Sequence, residues 1–312
     1  MQQFLSVSDP EDPGSLVKKA LALKKDPFGN QIGKNKTLGL VFFNPSLRTR
    51  MSSQKAAMNL GMNVMVMNID KDGWRIETQD GAVMDGDNQE HIKDAARVMS
   101  QYVDILGVRT FPALKNREED YSESVINQFV KHSEVPTVSL ESATRHPLQS
   151  LADLITIEEL GIKKPKVVLS WAPHPRILPQ AVPNSFLEWI KTTDAEVTLA
   201  CPEGYELDDQ FIDGVTISHD QDKAFEGADI IYAKNWSSYH HYGQRLDVKE
   251  DWTITSKKMA LTNNGKFMHC LPIRRNVVAT DEVIDNSIVY RQAKNREFSA
   301  QVVLQEILEG MQ

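Results

Sequence analysis

A chain of 312 residues is longer than one typical hydrophobic core supports and suits two units of roughly 150 residues each. With 41% hydrophobic residues, 25% charged residues and a net charge of −8, it has the composition of a folded globular protein and is a poor general binder of nucleic acid. Its two cysteines, Cys201 and Cys270, show no CxxC or Cys/His metal spacing, and no leader-like or ~18-residue apolar run occurs; the expectation is a cytoplasmic protein that neither crosses nor anchors in a membrane.

In chain order, a packing helix is expected from near Pro13 and Ser15 to Leu23, ending before Asp26-Pro27. Leu38–Phe43 is a continuous apolar run of the kind found in a buried parallel strand, and Asn44-Pro45 ends it. Ser46 suits the N-cap of a helix running to about Leu60, with Leu47, Met51, Met58 and Met62 along one apolar face. The free amides of that first turn point out of the carboxyl end of the strand, where open α/β sheets bind ligands. Arg48 and Arg50 add full positive charge there. A solvated surface pair is the ordinary reading of two such arginines, yet cations in a helix's first turn oppose its dipole unless something negative is bound.

Met62–Met67 alternates as a second strand, and Asn68–His91 is a long polar loop in which Trp74 either anchors the loop or serves a function elsewhere. A helix from about Gln89 to Tyr102 precedes the strand Val103–Arg109, which places Arg109 on the same sheet edge as Ser46. After a helix near Tyr121–Lys131, the strand Thr137–Leu140 opens into Glu141 and the segment Arg145-His146-Pro147-Leu148-Gln149.

A helix from Pro147 to about Leu160 crosses into a second unit. There Val167–Trp171, Glu196–Ala200, Val215–Ser218 and Asp229–Ala233 alternate with helical or polar segments, with a helix near Pro183–Lys191; this βαβ series implies a parallel sheet. No Gly-x-Gly-x-x-Gly follows the Val167 strand, so a dinucleotide site is not expected. The last third carries His269-Cys270-Leu271-Pro272, Arg274-Arg275 and Asn295-Arg296, the last opening a terminal amphipathic helix long enough to pack back across the first unit.

Five motifs, Ser46-Leu47-Arg48-Thr49-Arg50, Arg109, His146-Pro147-Leu148-Gln149, His269-Cys270-Leu271-Pro272 and Asn295-Arg296, occur in an order and spacing that resembles the aspartate/ornithine carbamoyltransferase family. The resemblance implies an α/β protein of two doubly wound parallel-sheet domains linked by helices. A carbamoyl-phosphate-binding domain would span 1–145 together with the C-terminal helix 295–312, and 146–294 would bind the amino-acid substrate. It further implies that Ser46, Leu47, Arg48, Thr49, Arg50 and Arg109 hold the phosphate of carbamoyl phosphate, with His146, Gln149, Cys270, Leu271 and Arg296 around the carbamoyl group. Arg48, Thr49, Arg109, His146, Cys270 and Arg296 would be the catalytic set. Such a site needs donors at a developing oxyanion and positive charge at a leaving phosphate, and no metal or organic cofactor. Taken singly, His146 could cap a helix and Cys270 could be a small buried hydrophobe.

Free-ornithine members of the family carry an Asp-x-x-x-Ser-Met-Gly segment, where this chain has Tyr232-Ala233-Lys234-Asn235-Trp236-Ser237-Ser238. The chain is most similar to the branch acting on Nα-acylated ornithine. By that resemblance Glu141, Asn184 and Lys234 bind the ornithine portion, and Trp74 and the Gln89 loop reach a neighbouring subunit's site in a homotrimer, Trp74 against carbamoyl phosphate. Acetyl-specific members have Glu at the place of Gln89 and succinyl-specific members Pro. Gln89 matches neither but adds no negative charge, and His174 and Arg176 are candidates to meet a succinyl carboxylate. N-succinyl-L-ornithine is therefore favoured over N-acetyl-L-ornithine; free ornithine and a non-catalytic carbamoyl-phosphate-binding homologue are the further alternatives.

Overall fold

The computed structural model describes residues 1–311. Its two five-stranded sheets are parallel throughout. The first runs in the order Gln3–Phe4, Thr137–Glu141, Ile105–Arg109, Thr37–Phe42, Asn63–Asn68, and the second Thr216–Ser218, Glu196–Ala200, Lys166–Ala172, Ile230–Asn235, Lys266–Met268. The central strands are buried on both faces, which is why Leu38–Phe42 and Ile230–Ala233 read as unbroken runs, whereas the edge strand Asn63–Asn68 alternates. The short edge strand Gln3–Phe4 has too few residues to carry a sequence signal.

Two helices join the halves. Pro147–Glu158, buried from Pro147 to Ile157, packs on Ala181–Ile190 of the second half and on Pro13–Leu23 of the first. The C-terminal helix, Val289–Glu309, lies across Pro13–Leu23, Arg48–Asn59 and Pro147–Glu158, as the terminal-helix reading anticipated, although it begins a turn and a half before Asn295. Among the described residues no helix is long and apolar enough to cross a membrane.

Two expectations for the phosphate helix are overturned. Leu47, not Ser46, occupies the N-cap position of Arg48–Asn59, in αR conformation and with no side-chain cap. The face carrying Leu47, Met51 and Met58 is turned outward, these residues being 64%, 64% and 58% exposed, and only Met62 of that set is buried. The inward face is built from Thr49, Ser53, Ala56, Ala57 and Asn59. Small side chains there let the C-terminal helix approach closely, and buried Asn59 donates to Glu297 Oε1 and Gln301 Oε1, both at 2.8 Å. The stretch 68–91 is also less irregular than expected, since Ile76–Glu77 pairs with Glu90–His91 in a small parallel ribbon. The following helix starts at Ile92, capped by the His91 ring.

Candidate active site

A cavity of about 330 Å³ lies where the carboxyl ends of both sheets face each other. Its wall takes Pro45–Thr49 from beyond Thr37–Phe42, Arg109 from Ile105–Arg109 and Phe111 from just after it, and Glu141 from Thr137–Glu141. From the second half come His174, Lys234, Asn235 and Cys270–Pro272, while His146, Gln149 and Arg296 arrive from the two joining helices.

At one end sits the phosphate-type pocket. The first intrahelical bond of Arg48–Asn59 runs from Met51 N to the Leu47 carbonyl at 3.1 Å, so the amides just before it have no acceptor in the helix. Among the described residues the Arg48 guanidinium meets no hydrogen-bond partner, and partial burial depresses its pKa from the ordinary arginine value, with Arg109 adding to the depression. Guanidinium nevertheless stays charged in proteins, and an unpaired one at a helix N-terminus is suited to a dianion.

Arg109 is locked before any ligand arrives. Its Nε and Nη2 donate to Glu141 Oε2 at 3.1 and 2.7 Å, and Nη1 donates to the Asn44 and Pro45 carbonyls at 3.3 and 3.1 Å. A register shift between Val108 and Arg109 sets Arg109 opposite Glu141. Glu141, expected to bind the amino acid, thus spends one carboxylate oxygen on Arg109. His146 Nε2 stands 3.7 Å from the same oxygen, too far for a hydrogen bond, and its Nδ1 is buried without a partner. Burial, followed by the charges of Arg296, Arg109 and Lys234, holds the His146 pKa well below the ordinary histidine value, so the ring is a neutral donor or acceptor at neutral pH.

Arg296 crosses from the C-terminal helix to bind Gln149 Oε1 through Nη1 and Thr49 Oγ1 through Nη2, both at 2.7 Å. Because Thr49 Oγ1 accepts from Arg296, its own hydroxyl proton is free to be donated into the cavity. On the opposite wall Lys234 is 7% exposed and has no hydrogen-bond or ion-pair partner among the described residues. A buried ammonium left unpaired calls for an anion from outside. At the rim, Arg274 Nε donates to His174 Nε2 at 3.1 Å, and the other ring nitrogen, Nδ1, lies 2.7 Å from the Arg176 carbonyl and 3.1 Å from the Arg176 amide. Burial, with Arg274 close by, lowers the His174 pKa and keeps this ring neutral.

Thirteen of the residues singled out from the sequence line this cavity: Ser46, Leu47, Arg48, Thr49, Arg109, Glu141, His146, Gln149, His174, Lys234, Cys270, Leu271 and Arg296. Five do not. Arg50 points away, bonding Asn68 Oδ1 and stacking on Phe42 with its Cζ 4.7 Å from the ring centre. The Arg176 side chain is exposed to solvent, and Asn184 is fully buried behind the wall, donating to Tyr121 Oη at 3.4 Å. Trp74, 56% exposed, donates to Glu90 Oε2 at 2.9 Å, and exposed Gln89 lies on the same segment. Sequence reasoning left Arg274 without a role and did not single out Phe111, Val182 or Asn235. For Arg274 its place four residues after Cys270 was the available signal, whereas its partner His174 is 100 positions away.

Cys201 comes within 4.8 Å of ligand atoms on Glu206 and His219, a convergence that no sequence spacing suggested. It lies outside the cavity wall, with the His219 ring nitrogen Nδ1 2.9 Å from the Cys201 carbonyl.

Residues 2–159 match the carbamoyl-phosphate-binding domain of the aspartate/ornithine carbamoyltransferases, and residues 179–307 match their aspartate/ornithine-binding domain. An N-succinylornithine carbamoyltransferase of Bacteroides fragilis (strain 638R) is 55% identical over 317 residues, covering 100% of both chains. An N-acetylornithine carbamoyltransferase of Xanthomonas campestris pv. campestris is 39% identical over 322 residues, 95% of this chain and 94% of that one. Among solved structures, an N-acetyl-L-ornithine transcarbamylase mutant complexed with carbamyl phosphate and N-succinyl-L-norvaline aligns with a TM-score of 0.91 at 38% identity, covering 98% of this chain and 100% of that chain. With both domains matched in order and the cavity set between them, the chain belongs to the aspartate/ornithine carbamoyltransferase family.

Proposed function

We propose that the protein transfers the carbamoyl group of carbamoyl phosphate to the side-chain amine of N-succinyl-L-ornithine, giving N-succinyl-L-citrulline and phosphate. One observation carries the reading: Arg48 and Lys234, two cations without protein partners, face one cavity from its two domains. In this reading Arg48 meets the phosphate and Lys234 an amino-acid carboxylate. The relative at 55% identity is named for the succinyl substrate, and the Arg274–His174 pair at the rim supplies a donor for a second carboxylate.

The chemistry follows from the donors. Carbamoyl phosphate docks with its phosphate on the free amides near Leu47–Arg50, on Ser46 and on the Arg48 and Arg109 guanidiniums. The Thr49 hydroxyl and the neutral His146 ring point at the carbonyl oxygen. As the δ-amine attacks the carbonyl carbon, negative charge grows on that oxygen, where Thr49, held by Arg296, already stands as a donor. The C–O bond to phosphate then breaks, and a departing phosphate oxygen takes the amine proton. Glu141 keeps Arg109 in place throughout, its second oxygen remaining open toward the ornithine portion.

A homotrimer, cytoplasmic, completes the proposal. The outward Leu47, Met51 and Met58 face and the exposed Met65 and Met67 of the sheet's edge strand offer apolar surface, and Trp74, held by Glu90, is 56% exposed on its ribbon loop, which fits a segment that reaches a neighbour's carbamoyl phosphate. Gln89 sits on the same loop. The second reading, an N-acetylornithine acceptor, draws on the 39% relative and on Gln89 lacking the proline of succinyl-specific members.

The test is product formation from carbamoyl phosphate with ornithine, N-acetylornithine and N-succinylornithine in parallel. Turnover is expected to be fastest with the succinyl compound; product from ornithine alone overturns the acylated-substrate reading, and no product from any of the three leaves a binding protein.

A further inference from the structure

We infer that Asp153, which lines no part of the cavity, is a positioning residue that fixes the direction of two buried glutamine amides and through them both walls of the active site. The inference rests on the carbamoyltransfer reading for its consequence and on geometry for its substance. Asp153 lies one turn beyond Gln149 on Pro147–Glu158 and is 0% exposed. Its Oδ1 accepts from Gln149 Nε2 at 2.8 Å and from Gln292 Nε2 at 2.7 Å.

That shared oxygen only accepts, so both amides must present their NH2 groups to it and turn their carbonyls the other way. The Gln149 carbonyl then meets Arg296 Nη1 at 2.7 Å, and the Gln292 carbonyl meets the His269 amide at 2.9 Å. Arg296 holds Thr49 at the start of the phosphate helix; His269 precedes Cys270 and Leu271 on the facing wall. Reversing either amide would set a carbonyl against the carboxyl oxygen and an NH2 against another donor. Both glutamines are 1% exposed, so water does not relieve the mismatch.

The second oxygen of Asp153 has a different setting. Asp153 Oδ2 and the Tyr232 hydroxyl are neighbouring buried groups, and neither has a partner within hydrogen-bond geometry among the described residues, although the hydroxyl is close enough to favour the carboxylate. Burial lifts the Asp153 pKa to about 7, against the pull of Gln292, Gln149 and the Tyr232 hydroxyl. A proton on this carboxyl belongs on Oδ2, because Oδ1 already receives two N–H groups. Asparagine with its Oδ1 in the same place therefore reproduces the acceptor, and leucine removes it while keeping the branched shape.

The experiment compares wild type, Asp153→Asn and Asp153→Leu for steady-state kinetics, for binding of inorganic phosphate by calorimetry and for thermal melting. Asp153→Asn is expected within about threefold of wild type in kcat and in phosphate affinity. Asp153→Leu is expected to lose about 100-fold in kcat/KM for carbamoyl phosphate, the consequence of leaving two buried amides without their acceptor, while KM for the acylornithine moves by less than about threefold. Gln292→Leu frees one wall only and is expected to lower kcat by about tenfold. It decides the matter if Asp153→Leu fails to fold, unchanged kcat in Gln292→Leu overturning the inference. A folded Asp153→Leu with wild-type kcat and phosphate affinity, or an Asp153→Asn as damaged as Asp153→Leu, overturns it too. Wild-type protein that binds phosphate but gives no product defeats the carbamoyltransfer reading alone, and the phosphate-binding contrast still judges Asp153.

Discussion

The two ends of the cavity are built to different standards. At the phosphate end Arg109 and Arg296 are buried, each with two or more protein partners, and their acceptors, Glu141 and Gln149, are buried as well. At the other end Lys234 has no partner among the described residues and exposed Arg274 rests on a single ring nitrogen at the rim. Arg48 apart, the first end is preorganised before substrate arrives, which is what a developing charge requires. The second is held together by its ligand. Transfer chemistry is thus the rigid part of this molecule, and choice of acceptor the adjustable part.

Substitutions at the two ends sharpen that contrast. Thr49→Val, which removes a locked donor without changing volume, is expected to lower kcat by about 10²–10³-fold with little change in KM for the acylornithine, measured by steady-state kinetics. Lys234→Met acts at the other end and is expected to raise KM for the acylornithine by about 10- to 100-fold, the worth of a charge-assisted bond, with a smaller effect on kcat. If Lys234→Met damaged kcat as deeply as Thr49→Val, the division between the ends would be broken. Arg274→Ala is expected to raise KM for N-succinylornithine by about tenfold and to spare N-acetylornithine, since only the former offers a second carboxylate; equal effects on both would remove Arg274 from acyl recognition. Gln89→Glu is expected to depress turnover of the succinyl substrate by a few-fold more than that of the acetyl one, and equal losses would mean that position 89 does not read the acyl group.

The buried phosphate end also leaves a mark on stability. In the folded chain the Asp153 pKa stands at about 7, against an ordinary carboxylate value of 3.8. As pH rises through that window the unfolded chain releases its proton first, so wild type loses stability relative to Asp153→Asn, and above the window the gap is constant. Buried neutral His146 and His269 act oppositely, both held well below the ordinary histidine value by burial and neighbouring cations. Their contribution is full above 6.5 and is lost as pH falls below it. Melting temperatures of wild type and Asp153→Asn between pH 5 and pH 8 separate the two, since the histidines cancel in the difference.

What the sequence determined by itself was local. A buried parallel strand must be apolar throughout, and the turn at its carboxyl end must leave amides free, so Leu38–Phe42 followed by Ser46–Thr49 announces a strand, a turn and an anion site within one stretch of backbone. His146–Gln149 and Cys270–Leu271 were legible only as motifs resembling the family, since singly each had an ordinary structural reading. Tertiary structure decided everything that depends on what a surface faces. The methionines of Arg48–Asn59 satisfy helical periodicity, yet the C-terminal helix accepts only the small-residue face, so they point outward. Arg50 and Arg48 are chemically alike two positions apart, and the helix turn sends one to Phe42 and the other into the cavity. Gln149 and Gln292 share one oxygen of Asp153, Gln292 from 139 positions away, and Arg274 meets His174 across 100. Periodicity and motif spacing reach a few turns of chain; pairings at such distances exist only once packing has brought the partners within hydrogen-bond reach.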